Sequence, residues 1–215
     1  VIFSCVTFIA ASYVAYVLWP RWPGPPVAPD APSLPVVIGN VTFNVPPAAI
    51  RRPAQRRPGT QERLDLAFLW PSLIPPPAAA ESGSDDASTP KPLERIFVTI
   101  AAGAGALSPL ERMKTVYTRY LASDPVAGPN GLVTVAFRAE TPYQGEDLLY
   151  AAEAPERFFL RCSKRAGPTP GTCLHERRIG EADVTVRFPR DWLDDWRAMA
   201  SGIDRLIIKL QSPAG

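Results

Sequence analysis

Apolar positions along this chain follow three rhythms. The first is unbroken. Residues 1–18 carry no charge, and the polar members Ser4, Cys5, Thr7, Ser12, Tyr13 and Tyr16 are ones that a helix carries in lipid. With Trp19 the run predicts a helix about 28 Å long, close to the roughly 30 Å of bilayer hydrocarbon. Tyr13, Tyr16, Trp19 and Trp22 gather at its C-terminal end, where aromatic rings settle at a lipid–water interface. Pro20 ends the run and Arg21 marks the aqueous side. Residues 1–19 are therefore expected to form a transmembrane helix, with Tyr16, Trp19 and Trp22 at the membrane interface. A cleaved signal peptide is the rival reading, but the run is longer than a signal core and lacks a small-residue cleavage site. A lipidated Cys5 is a second rival, poorly approached by Ile2, Phe3 and Ser4.

The second rhythm has period two and predicts strands. Residues 36–45 read as a hairpin around Gly39-Asn40, a two-residue turn signal. Residues 63–70 alternate, with Leu64, Leu66, Phe68 and Trp70 on one face and Asp65 on the other. Residues 94–101 follow, with Ile96, Val98 and Ile100 sharing a face. Further strands are expected over 132–139, 147–152, 157–164, 174–179 and 182–188.

The third rhythm is helical. Ser108 is an N-cap, Pro109 stands at N1 and Glu111 at N3, which is a capping box with the favoured first-turn proline. Leu110, Met113, Val116, Tyr117, Tyr120 and Leu121 form its apolar stripe, and Asp124-Pro125 ends it. A second helix is expected over 191–211, where Trp192, Leu193, Trp196, Met199, Ile203, Leu206 and Leu210 keep a period near 3.6. Gly202 weakens it in the middle. Strands in succession with two helices predict an α+β domain over residues 36–215, an antiparallel sheet with two helices packed on one face.

Composition changes this picture at the linkers. The chain holds 26 prolines in 215 residues, and proline fixes φ and removes a donor. Residues 20–35 are expected to be a Pro-rich stalk, extended at about 3.1 Å per residue. Residues 71–92 are expected to be a flexible loop, rich in Pro, Ala, Ser and Asp. A net charge of +2 gives no bulk reason to expect nucleic acid.

Cysteines bear on the compartment. Cys162 and Cys173 flank a Gly- and Pro-containing turn between two strand-like runs, which places them within disulfide reach. Such a bridge stabilises by about 3 kcal/mol in the chain-entropy picture. Two buried free thiols are the alternative. A disulfide indicates an oxidising compartment, so the domain is expected in the periplasm, on the outer side of a bacterial inner membrane.

Candidate chemistry is sparse. The chain's one histidine, His175, sits beside Glu176, Arg177 and Arg178, which look like the solvated side of a sheet. It lacks the partners of a catalytic triad or a zinc site. Gly103 and Gly105 between a strand and a capped helix are similar to a phosphate-binding turn, without its third glycine or lysine. Asp191, Asp194 and Asp195 suit the N-terminal end of the last helix better than an acid–base pair. Trp192 and Trp196 read as core, with Arg187 and Arg190 beside them as a candidate binding surface. Arg51, Arg52, Arg56 and Arg57 form a basic cluster, read either as a solvated loop or as a contact for lipid head groups or an acidic partner. No catalytic, cofactor or metal site is expected.

Two fragments, VTFNVPPAAI at 41–50 and VRFPRDWLDDW at 186–196, resemble segments of single-pass, periplasm-facing bacterial membrane proteins of unassigned function. The resemblance implies no site or partner. The expected function is a non-enzymatic, membrane-anchored accessory subunit of a larger inner-membrane complex, respiratory or photosynthetic. Its partners would be the lipid bilayer and integral membrane subunits. The alternative is a stalked periplasmic binding module for an envelope polymer or a secreted protein, and an enzyme with an unfamiliar site is the third reading.

Overall fold

A computed structural model describes residues 2–18, 27–28, 30–77, 94–103, 105–122, 124–164 and 171–212. The first element is a helix, α1 (Ile2–Leu18), of 17 residues. Its rise is only about 25 Å. Among the described residues no helix is long and apolar enough to cross a membrane. The transmembrane anchor expected over 1–19 is therefore corrected. With it go the single-pass inner-membrane location, the anchored accessory subunit and the stalked module, all of which rested on that span. Trp19 and Trp22 lie outside the described residues, and Tyr16 is exposed on α1.

Among the described residues eleven strands follow, in two sheets. The smaller contains β1 (Leu34–Ile38), β2 (Val41–Val45) and β3 (Gly59–Thr60), with β3 parallel to β1. β1 begins inside the segment expected to be stalk. The larger contains β4 (Arg63–Leu69), β5 (Arg95–Ala102), β6 (Val126–Ala127), β7 (Leu132–Ala136), β8 (Glu146–Ala151), β9 (Phe159–Ser163), β10 (Thr172–Ile179) and β11 (Ala182–Pro189). Its order is β4-β5-β11-β10-β9-β8-β7-β6, antiparallel throughout. Residues 71–77 fold back beside the end of β4: Leu69 N donates to Ile74 O at 2.8 Å, and Leu73 is buried.

Among the described residues two α-helices belong to this domain. α2 (Pro109–Thr115) is opened by Ser108, whose side chain accepts from Glu111 N while the Glu111 side chain accepts from Ser108 N. It is shorter than the stripe predicted, because the chain tightens into a 3-10 turn at Tyr117–Arg119. α3 (Trp196–Gln211) is preceded by a 3-10 stretch, Arg190–Asp195, and capped by Asp195, whose carboxylate accepts from Ala198 N.

The helices lie on opposite faces of the large sheet, which corrects the expectation that both pack on one. Successive side chains of a strand point to opposite faces. On β8 and β9, Leu149 and Leu160 enter the main core with Met199, Ile203, Leu206 and Leu210 of α3 and the β1–β2 hairpin. Their neighbours Leu148 and Phe159 enter a second cluster with Tyr117 and Phe137, against which Leu110, Met113 and Val116 pack. The second cluster is small, so α2 covers only one end of its face.

Candidate functional site

Most residues singled out from the sequence prove to be structural. Cys162 and Cys173 stand directly opposite each other on β9 and β10 and are joined by a disulfide, S–S 2.02 Å. Both are fully buried. His175 shares their inward face instead of a solvated one, and is 3% exposed. Its Nδ1 pairs with Phe159 O at 3.0 Å, its ring stacks on Phe158, and Phe158 stacks on Trp196. Burial pushes its pKa down to about 4, against the opposing pull of the Phe159 carbonyl. It is neutral at neutral pH. Among the described residues no group of three or more His, Cys, Asp and Glu side chains could hold a metal ion.

Gly103 is occupied by protein. Its N–H donates to Glu181 O at 2.8 Å, and Arg178 Nη2 donates to its carbonyl at 3.2 Å. A Cβ there would lie 2.6 Å from that same guanidinium nitrogen. No amide of Gly103 is left for a phosphate. Asp194 O accepts from Asn130 Nδ2, and Asn130 O accepts from Trp196 Nε1 at 3.0 Å. Trp192 stacks on Trp70. Arg190 is tied to Asp147 at 2.8 Å and to Ser163 O at 2.7 Å.

The basic cluster separates by role. Arg56 donates twice to Ile50 O, at 3.2 and 3.0 Å. Arg52 pairs with Asp65 at 3.2 Å. Arg57 is exposed. Arg51 goes elsewhere. Ile50 bridges Leu66, and Arg51 N donates to Asp65 O at 3.0 Å, which lays this segment along the outer edge of β4. From there the Arg51 guanidinium reaches over the sheet to lie 4.7 Å from the ring centroid of Phe97.

Phe97 is the centre of the face that α2 leaves open. Cross-strand pairing sets Ala67, Phe97, Arg187, Leu174 and Arg161 side by side across β4, β5, β11, β10 and β9. The Arg161 end is covered and neutralised: its guanidinium lies 5.3 Å from the rings of both Tyr117 and Tyr143, and it pairs with Glu146 at 2.8 Å. Among the described residues nothing covers the Phe97 end. Arg187 lies 5.8 Å from the Phe97 centroid on the side away from β4, so two guanidinium groups bracket one half-buried ring. Such contacts contribute about 0.5–1 kcal/mol when exposed.

Two adjoining hollows share Phe97 and Arg187. One, of about 280 Å³, is lined by Arg51, Arg95, Thr172 and Pro189 as well. The other, of about 240 Å³, adds Arg63, Thr99, Leu174 and Thr185. Among the described residues no carboxylate lines either. Asp65, on β4 beside this row, is buried and already saturated. It accepts from Arg63 at 2.9 and 3.0 Å, from Thr99 at 3.1 Å and from Gln55 at 3.3 Å. Burial alone would raise its carboxyl, but the hydrogen bonds from Arg63, Thr99 and Gln55, with the Arg63 charge, hold it below the ordinary range. Among the described residues, neither Arg51 nor Arg187 has a carboxylate partner. Sequence reasoning missed Phe97. Its signal was an aromatic side chain at a position where the alternation Arg95, Phe97, Thr99 otherwise reads as solvated.

No protein-family profile matches this chain, and no curated protein matches it. A solved structure shares its fold: the immunity protein Smlt3025 of the Stenotrophomonas maltophilia type IV secretion system. That protein is 18% identical, with a TM-score of 0.57 over 84% of this chain and 94% of the other. The Neisseria meningitidis iron-regulated outer membrane lipoprotein FrpD is 9% identical over 86% of this chain and 94% of its own. Its TM-score of 0.45 is too low to bear on the fold. Among the described residues no helix is long and apolar enough to cross a membrane, and the structure that shares the fold is an immunity protein, which corrects the resemblance drawn from 41–50 and 186–196. Those fragments are element junctions here: β2 with the turn after it, and the end of β11 running into α3.

Proposed function

We propose that this protein is a non-catalytic recognition domain that takes a partner protein on the open face of its large sheet. The observation that carries the reading is Phe97 bracketed by Arg51 and Arg187, two exposed guanidinium groups without carboxylate partners among the described residues. Aromatic and arginine side chains dominate the energetic centres of protein interfaces. Here they are held ready by strand register and a short edge segment, so little ordering is needed on binding. Among the described residues no carboxylate, histidine or cysteine lines this face, which favours binding over turnover. A fold shared with an immunity protein suits recognition, although fold alone does not carry function. The weight rests on the face.

Site-specific photo-cross-linking in the native cell tests the proposal. Benzoylphenylalanine in place of Thr185, inside the open face, should give a discrete protein adduct. The same group in place of Arg205, exposed on α3 beyond the opposite face, should not. Adducts at Arg205 alone would overturn the reading.

A further inference from the structure

We infer that the occupant of this face is an acidic polypeptide segment, bound through successive carboxylates in the two hollows that meet at Phe97. The inference rests on the recognition reading above and names the partner's chemistry. Three observations lead to it.

The first is charge. Arg51, Arg63 and Arg187 line the two hollows, and among the described lining residues there is no carboxylate. Asp65 is enclosed by its own donors and already compensates Arg52 and Arg63, while Glu176 and Asp183, farther along the face, are paired with Arg112, Arg161 and Arg178. The uncompensated charge therefore belongs to the row through Arg51, Phe97 and Arg187. Electrostatic complementarity calls for an anion there, and arginine takes a carboxylate or a phosphate in the same two-pronged way.

The second is the state of the ring. A nucleic acid would use an exposed aromatic on a sheet as a stacking platform. Phe97 is already engaged by guanidinium groups at 4.7 and 5.8 Å. A base would have to displace a cation to stack. A carboxylate needs no such exchange, because a guanidinium lying on a ring keeps its N–H edge free to donate.

The third is what lies between the charges. Leu174, Pro189 and Phe97 give the hollows apolar walls, and Thr172 and Thr185 add hydroxyl groups. That alternation suits a polypeptide, which presents carboxylates with apolar and main-chain groups between them. A bare polyanion has no counterpart for the apolar walls. Two adjoining hollows sharing Phe97 and Arg187 require at least two anions on one segment.

The test uses the full chain and a fluorescein-labelled hexaglutamate peptide, read by fluorescence anisotropy, beside a mixed-sequence single-stranded decanucleotide carrying the same dye. The peptide should bind, its affinity should fall with added salt, and it should outcompete the oligonucleotide. Arg51→Ala with Arg187→Ala should weaken it roughly ten-fold or more. Arg57→Ala, an exposed arginine that lines neither hollow, should change it by less than about two-fold. All these side chains are exposed, and equal thermal unfolding of the variants confirms the fold. Tighter binding of the oligonucleotide overturns the inference, as does peptide affinity that ignores the double substitution. If the peptide fails while Thr185 still cross-links a protein, the acidic segment is wrong and the recognition reading survives. If Thr185 captures nothing, both fall.

Discussion

Trp70 lies against Gly202 so closely that a Cβ on the glycine would sit 2.5 Å from the indole ring. Gly202 is in the middle of α3, where glycine weakens a helix by about 1 kcal/mol relative to alanine. The fold accepts that loss because Trp70, at the end of β4, stacks on Trp192 and packs against the main core. Gly202→Ala therefore sets two terms against each other. The helix gains about 1 kcal/mol, while overpacking a formed core costs about 1–3 kcal/mol. Urea unfolding should show a net loss of up to about 2 kcal/mol. A more stable variant would mean that Trp70 is free to move aside.

Cys162 and Cys173 close a short loop between paired strands, with a sequence separation of 11. Loop-closure entropy removed from the unfolded chain is worth about 3 kcal/mol for a loop of this size. The double variant Cys162→Ala with Cys173→Ala should lower unfolding free energy by about that amount. Unfolding unchanged within about 0.5 kcal/mol would show that strand pairing alone fixes the loop.

The sequence carried the strands of this fold better than its faces. Leu64, Leu66 and Phe68 on β4, and Ile96, Val98 and Ile100 on β5, alternate clearly, and each set is buried as a unit. On β8 and β9 the pattern Leu148-Leu149 and Phe158-Phe159-Leu160 is apolar on both sides. A continuous apolar run has no parity to read, so the splitting of the helices to opposite faces was not legible. His175 was misjudged for a different reason. Its charged neighbours Glu176, Arg177 and Arg178 suggested solvent, whereas its spacing of two from Cys173 placed it inward. The capping box at Ser108 was plain, but the early tightening of α2 depends on Tyr117 being drawn into a tertiary cluster. The basic cluster was visible as composition. Which arginine reaches Phe97 depends on the Ile50–Leu66 bridge, a contact across 16 residues that periodicity does not encode.

Asp65 gives a prediction with opposite signs for stability and binding. Its carboxylate, with a side chain 6% exposed, holds Arg52 and Arg63 and accepts from Thr99 and Gln55. Asp65→Ala leaves those donors without an acceptor and should cost about 2–3 kcal/mol in urea unfolding. Its pKa is depressed in the fold, so this stability is present above the ordinary carboxylate range and is lost as pH falls through the folded value. The same substitution releases Arg52 and Arg63 onto a face already rich in arginine. Hexaglutamate should therefore bind the less stable variant more tightly than the parent. Weaker binding would mean that Asp65 orders Arg63 for the partner.

His175 sets the acid limb of stability. Its ordinary pKa is 6.5 and its folded value is about 4, because burial between β10 and the Phe158–Trp196 stack disfavours the charged ring. The hydrogen bond to Phe159 and the charge of Asp204 pull the other way, and Arg177 adds to the depression. A depressed histidine pKa leaves the fold unaffected well above pH 6.5. As pH falls through 6.5 the unfolded chain takes up a proton that the folded chain refuses, and stability declines until about pH 4. Between pH 6.5 and 5 the loss should be about 1.5 kcal/mol. Carboxylates contribute little in that window, and the chain has one histidine, so the slope belongs to this residue. His175→Phe keeps a ring beside Phe158 and removes the titration. It should lower stability at pH 7 by about 1 kcal/mol through the lost hydrogen bond, and flatten the profile from pH 6.5 to 5. An unchanged slope in the variant would show that the ring takes up its proton in the fold at the same pH as in the unfolded chain. That would require a counter-charge, for which Asp204 is the group placed to supply one.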